Sequence, residues 1–221
     1  IFPEKCLPRI SCFFFFVMLS LRSENHFVKY DRKMTMDKIT ASEIKKTNRN
    51  NIYNTIYKLH HTSKQQLANL LGLSLPTITH NLKELESLDL IKKDGFSSST
   101  ASGGRKAQVI SCNRKARISV GVEVLKESVF IVASDLYGTL LGQDKLVLPF
   151  ECSKLYYCAI GNWINSFISE HSIPRESVLG INIAIQGLVS ADHRRVVYGK
   201  ILDCTGLAVE EFSSFIKYPC M

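Results

Sequence analysis

Two amphipathic helical patterns separated by three residues leave a chain few ways to fold. Residues 63–90, "SKQQLANLLGLSLPTITHNLKELESLDL", hold such a pair. Ser63 precedes the first pattern and Gln66 stands three positions on, the spacing of a capping box, in which the two residues satisfy each other's backbone N–H at a helix start. Leu67, Leu70 and Leu71 form an apolar stripe, and Gly72 suits the left-handed residue that ends a helix. Ser74 then caps a second helix. Pro76 is tolerated in its first turn, where the backbone N–H has no intrahelical partner. Leu75, Ile78, Leu82 and Leu85 make its buried face. A preceding helix is expected over 41–59, with Ile44, Ile52, Ile56 and Leu59 near helical spacing. Two short helices joined by a tight glycine-containing turn form a helix-turn-helix. The second helix of such a pair can enter a DNA major groove.

At about 100° per residue, turning Ile78 and Leu82 inward puts Pro76, Thr77, His80, Lys83 and Glu84 outward, with Thr79 and Asn81 on the flanks. Ser74, Pro76, Thr77, Thr79, His80, Asn81 and Lys83 are therefore the candidates for DNA contact from this helix. A plain helical bundle would show the same polar face. It would not call for so short a turn or for the strand pair that follows. "LDLIKKDGF" and "RKAQVISCN" read as two strands around a Ser/Gly-rich tip, a wing carrying Lys92, Lys93, Arg105 and Lys106. Gly103-Gly104-Arg105-Lys106 is open to two readings. It is either a small arm entering an AT-rich minor groove, where the narrow groove concentrates negative potential, or a basic loop meeting phosphates alone. His60 and His61 end the first helix and read as surface residues, not metal ligands.

The charge distribution points the same way. Residues 1–113 hold 17 basic and 9 acidic side chains, a difference of +8; residues 114–221 hold 11 and 11. The whole net charge of +8 thus sits in the first half, as when one part of a chain meets a polyanion. Seven cysteines, at 6, 12, 112, 152, 158, 204 and 220, form no C-x-x-C pair. This argues against a disulfide framework or a complete zinc site and for reduced thiols in the cytoplasm. "ISCFFFFVMLSL", residues 10–21, is too short for an ordinary membrane span of roughly 20 residues. Residues 1–36 are read as a leader or upstream translation outside the working protein, with Met34 or Met36 as the start, and no membrane partner is expected.

The second half alternates strands with one helix. Residues 117–148 contain three strand-like runs with turns near Leu125–Ser128 and Asp135–Gly138. A helix is expected over roughly 153–171, with Leu155, Ala159, Trp163 and Phe167 at four-residue spacing. "VLGINIAIQGLV" reads as a nearly continuous apolar strand, the pattern of buried parallel strands, and "RRVVYGKIL" adds another. The fold class expected is α/β with two domains: a winged helix-turn-helix over 37–113, and over 114–221 the first lobe of an actin-like ATPase or sugar-kinase fold.

"NRNNIYNTIY", the helix-turn-helix, the wing ending "GGRKAQVISCN" and "GINIAIQGLVSADHRRVVYGKIL" together resemble the ROK family (repressor, open reading frame, kinase) in its xylose-repressor-like branch. The resemblance implies a repressor of sugar (xylose-type) metabolism genes that binds an operator in duplex DNA, senses a sugar effector and dimerises when full-length. It also implies sugar contacts at Gln186, Gly187 and Asp203, where relatives often show Pro-Gly and an Asn; a simple loop carboxylate is the rival reading for Asp203. The family's other activity is ATP-dependent sugar phosphorylation, so a kinase with an accessory DNA-binding domain is the alternative. A constitutive DNA-binding protein whose second half is only a dimerisation scaffold is a third. A kinase of this fold needs a glycine-bearing Asp-x-Gly-x-Thr turn so that backbone N–H groups can approach phosphate. Here the turn reads Glu123-Val124-Leu125-Lys126-Glu127-Ser128, which argues against an enzyme. The family's catalytic acidic residue and its Cys-rich zinc motif follow the stretch matched here. A fragment without cofactor is therefore expected, zinc belonging to a full-length relative.

Overall fold

The computed structural model describes residues 40–96 and 106–221, which divide along the chain, after Ala116, into two compact units. The leader expected at 1–36 lies outside the described residues, as do Gly103, Gly104 and Arg105.

In the first unit, α1 (Ala41–Leu59) starts at Thr40, whose side chain accepts from the Glu43 N–H while the Glu43 carboxylate accepts from the Thr40 N–H at 2.8 Å. This reciprocal cap is the one expected at Ser63 and Gln66. At Ser63 only half of it forms: Ser63 Oγ accepts from the Gln66 N–H, but the Gln66 side chain accepts from the Thr62 hydroxyl instead. After α2 (Lys64–Leu71), Gly72 takes φ 63° and ψ 28°, and the Gly72 and Leu73 N–H groups both turn back to the Ala68 carbonyl. Ser74 then caps α3 (Leu75–Ser87) by accepting from the Thr77 N–H. The strands β1 (Ile91–Phe96) and β2 (Gln108–Cys112) pair antiparallel, Ile91 opposite Cys112, with an irregularity between Lys93 and Phe96 where Gly95 has φ 86°. Thr62 joins the ladder: its N–H and carbonyl exchange bonds of 3.0 and 2.8 Å with Ile110, tying the wing to the connection between α1 and α2.

Ile52, Ile56, Leu67, Ala68, Ile78, Leu82, Leu85, Ile91, Ile110 and Cys112 are buried. The apolar stripes are narrower than the sequence suggests. Ile44 is 50% exposed and Leu70 59% exposed, and Leu59 and Leu75 are exposed as well. All four sit at helix ends or on stripe edges, where a short helix has no second element to cover them.

The second unit carries a four-stranded sheet in the order β5-β4-β3-β6. β3 (Ile118–Val124), β4 (Val129–Ser134) and β5 (Leu140–Leu146) form an antiparallel meander, and β6 (Val178–Ile185) pairs parallel to β3. Val178 and Ile181 of β6 are buried but Leu179 is exposed, so the strand is less enclosed than its apolar run suggests. Residues 219–221 run alongside it, with the Ile181 N–H donating to the Pro219 carbonyl and the Met221 N–H to the Ile181 carbonyl. The hairpin of β7 (Leu188–Val189) and β8 (Val196–Tyr198) and the short helix α5 (Val209–Ser213) complete the unit.

The helix α4 (Lys154–Glu170) buries Tyr156, Tyr157, Ile160, Gly161, Ile164, Phe167 and Ile168 in a core shared with β3 and β4 residues. The expected line Leu155–Ala159–Trp163–Phe167 is corrected here: Phe167 is buried, Trp163 half-buried, and Leu155 is 83% exposed. A four-residue ladder rotates about 40° per step. Three steps back from Phe167 it has left the core.

Gly161 yields a prediction of unusual sign. Alanine normally improves a helix interior by roughly 0.5–1 kcal/mol over glycine. A Cβ at Gly161, however, would stand 2.5 Å from Phe215 Cβ and 2.8 Å from the Phe215 carbonyl oxygen. Gly161→Ala is expected to destabilise the chain by about 1–3 kcal/mol, the usual cost of overpacking, read as a lowered urea midpoint. A raised midpoint would refute this packing.

Candidate nucleic-acid interface

The outer face of α3 follows from its caps and its stripe. With Ile78, Leu82 and Leu85 inside, Ser74, Pro76, His80 and Lys83 are exposed, and Thr77 and Thr79 are half-buried. Ser74 Oγ and Thr77 Oγ1 lie 2.8 Å apart, so the two hydroxyls at the N-terminal end satisfy each other. Asn81 is a correction. It is buried, and its Nδ2 donates to the Thr77 carbonyl at 2.8 Å. It stands about 60° from Ile78 around the helix, close enough to the stripe to turn inward, and it does not belong to the DNA-facing set.

The basic residues are held differently from the sequence picture. Lys92 Nζ is 3.0 Å from Asp94 Oδ1, and Lys93 Nζ is 2.5 Å from Glu86 Oε1. Lys92 and Lys93 of the wing are thus paired with carboxylates of the same unit. Asp94 also accepts from the Ser111 hydroxyl, and His61 Nδ1 lies 3.9 Å from it. The Ser111 bond, with Lys92 adding to it, holds the Asp94 carboxyl below its ordinary range against the desolvation that opposes this. Lys83 and Lys106 are exposed and make no ion pair among the described residues.

Sequence reasoning missed a further constellation. Lys45 Nζ stands 2.5 Å from Glu84 Oε1, and Arg49 lies 3.5 Å from Glu84 Oε2; His80 Nε2 is 3.2 Å from Glu84 Oε1. Lys45 and Arg49 are one turn apart on α1, a spacing visible in the chain, but nothing in the sequence says that α3 lies opposite. The Lys45 hydrogen bond, reinforced by the charges of Lys45, His80 and Arg49, holds Glu84 below its ordinary 4.5, with desolvation opposing.

In the second unit, the candidate sugar residues lie on two connections. Gln186 and Gly187 link β6 to β7, and Asp203 sits in the turn after β8 with φ 50°. Gly187 has a structural reason to be glycine: a Cβ there would come 2.7 Å from the Tyr198 carbonyl oxygen across the hairpin. A depression in this unit is lined by Ile183, Ile185, Arg194, Arg195, Leu207 and Phe212 among others; none of the three candidate residues lines it. The 125–128 connection between β3 and β4 is closed by the Leu125 N–H donating to the Ser128 carbonyl at 3.0 Å, and the Lys126 carbonyl accepts from Phe150. Among the described residues no group of three or more His, Cys, Asp or Glu side chains is placed to hold a metal ion. The cysteines described are free thiols. Among those residues no helix is long and apolar enough to cross a membrane.

The first unit is a winged helix-turn-helix with a polar face on α3. The comparisons agree. A family model described as winged helix-turn-helix DNA-binding matches residues 46–92. The xylose repressor of Bacillus subtilis is 26% identical over 161 residues, covering 73% of this chain and 41% of that protein. The DNA-binding transcriptional dual regulator NagC of Escherichia coli is 25% identical over 155 residues, 70% of this chain and 38% of that one. A crystal structure of a ROK family transcriptional regulator, a homologue of the E. coli MLC protein, superposes with a TM-score of 0.58 at 21% identity over 80% of this chain and 45% of that one. The chain is thus similar in sequence to these sugar repressors and in fold to a ROK family regulator. It spans about two fifths of the length of the curated relatives it matches.

Two outcomes test the electrostatics. Because the folded pKa of Glu84 is depressed, its contribution to stability is present in full above 4.5 and is lost as pH falls through the folded value. Glu84→Gln should therefore flatten part of the acid limb of a stability-versus-pH curve below 4.5, and an unchanged limb would contradict the network. Glu86→Gln frees Lys93 and is expected to tighten binding to duplex DNA of unrelated sequence by about twofold, within the small worth of exposed pairs. Fluorescence anisotropy at fixed salt reads this, and weaker binding would place Lys93 away from the phosphates.

Proposed function

We propose that the chain acts as a sugar-responsive transcriptional repressor, working in the cytoplasm as a homodimer on an operator in duplex DNA. The observation that carries the proposal is the exposed polar face of α3, set off by the Gly72 turn and flanked by the basic wing. In this reading Pro76, Thr77, His80 and Lys83 approach base edges in the major groove. Lys92, Lys93 and Lys106 meet phosphates, the first two by exchanging a carboxylate partner for a phosphate one. The second unit senses the sugar. A sugar that binds one of its conformations better shifts the population toward that conformation, in which the paired DNA-binding units fit the operator less well. The names of the relatives, xylose repressor and N-acetylglucosamine repressor, suggest pentoses and amino sugars as first trials. Gln186, Gly187 and Asp203 remain the proposed contacts.

No catalysis is needed for this role. The closed 125–128 turn supports the same view, since its Leu125 N–H is already spent within the hairpin. Any zinc would be held outside the residues described.

The test is a mobility shift with the full chain and fragments of the source genome at two salt concentrations, with and without D-xylose or N-acetylglucosamine. Retention should weaken steeply with salt, because cations on the recognition helix and wing release counterions from phosphates, and Lys83→Ala should lower the slope by about one. Salt-insensitive retention, or none, would count against DNA binding. Retention that no sugar alters would remove the sensor role alone. Phosphorylation of any hexose with ATP would restore the kinase alternative.

A further inference from the structure

We propose that Glu84 sets base preference through His80: it fixes the imidazole tautomer so that the exposed ring nitrogen accepts a hydrogen bond from a base amino group in the major groove. The inference rests on the DNA-binding reading above. His80 and Glu84 are one turn apart on α3, with His80 Nε2 3.2 Å from Glu84 Oε1. An ionised carboxylate only accepts. In the neutral ring the contact therefore puts the proton on Nε2 and leaves Nδ1 as an acceptor.

Glu84 is not free to swing away. Lys45 Nζ holds the same Oε1 at 2.5 Å, and Arg49 approaches Oε2 at 3.5 Å, both from α1. Oε2 is itself buried, and the Glu84 side chain is 26% exposed against 60% for His80. The imidazole is thus the solvent-facing end of a chain of contacts anchored between two helices, and it makes no other polar contact among the described residues. Such anchoring is what a base-reading group requires, because an unheld ring interconverts tautomers and can offer a donor or an acceptor at either nitrogen.

An acceptor on the recognition helix has a restricted set of partners. In the major groove adenine presents the N6 amino donor and cytosine the N4 amino donor, whereas guanine N7 and O6 and thymine O4 are acceptors. Nδ1 facing either of the latter sets two lone pairs against each other. The geometry therefore favours an adenine or cytosine opposite His80. Glu84 is a positioning residue here, and His80 is the residue that touches the base.

Two measurements on the full chain test this. The first needs no DNA. Long-range proton–nitrogen NMR of the neutral histidine ring is expected to show one tautomer protonated at Nε2, relaxing to a mixture in Glu84→Ala. Protonation at Nδ1, or an unchanged spectrum in the variant, would overturn the proposal. The second is selection from a randomised duplex DNA library. The wild-type chain should prefer adenine or cytosine at one position by about tenfold, the scale of one good base contact. His80→Ala should abolish that preference, and Glu84→Ala should reduce it to about twofold while preferences elsewhere persist. A Glu84→Ala chain that binds every sequence more weakly with its preference intact would make Glu84 a helix clamp only and overturn the proposal. If Glu84→Ala does not fold, Glu84→Gln gives the same readings, because its amide donates or accepts and so releases the tautomer as well. A wild-type chain that selects no duplex removes the DNA-binding reading and this inference with it; a chain that selects normally but ignores Glu84 removes the inference alone.

Discussion

The left-handed backbone at Gly72 is the constraint on which the DNA-binding unit depends. The sequence around it, "ANLLGLSLPTI", is apolar enough to continue as one helix. At φ 63° the chain instead turns, and two successive N–H groups return to a single carbonyl, that of Ala68. A side chain at this position would meet no atom within 4 Å, so glycine is needed here for the dihedral and not for space. Ser74 then restarts the helix two residues later, and the short break lets Leu67 of α2 and Ile78 of α3 be buried in the same unit. The polar face of α3 is available only because this turn has used its apolar face. The wing depends on the same arrangement through Thr62, which leads into α2 and also pairs with Ile110 of β2.

Much of this was legible in the chain because the signals were local. Ser63, Gly72 and Ser74 occupy the cap positions their chemistry suits, and the three strands before α4 fall between recognisable turns. What the chain does not show is which of several possible partners a side chain takes, whether one turn away or on another element. The helical wheel places Asn81 on the flank, yet the Thr77 carbonyl one turn back draws its amide inward. Leu155 was placed in the core because leucine at four-residue spacing resembles a stripe; the stripe that packs is one residue later and includes two tyrosines. Gln66 completes a capping box in the sequence but not in the structure, because Thr62 offers its side chain a competing partner. The network at Glu84 was invisible for the same reason: Lys45 and Glu84 are 39 positions apart, and only the crossing of α1 and α3 brings them together.

That network changes how the basic character of the unit should be understood. Among described residues 40–96 and 106–116 there are 11 basic and 5 acidic side chains. Three of the five carboxylates, on Glu84, Glu86 and Asp94, hold four of the cations: Lys45, Arg49, Lys92 and Lys93. A cation already paired with a carboxylate gains less from a phosphate than a solvated one does, because one anion is exchanged for another. At exposed sites such pairs are worth about 0.2–1 kcal/mol, so the exchange remains accessible. The consequence is a damped attraction to any DNA and a relatively greater weight for the fit of α3 to particular bases. A regulator of the proposed kind, which must leave random sequence as readily as it finds its own site, is served by that balance, since competing non-specific sites outnumber specific ones by orders of magnitude. In the proposed role the carboxylates that look like blemishes on a basic surface would act on selectivity, Glu84 twice: by holding α1 cations back from phosphate, and by fixing the His80 ring.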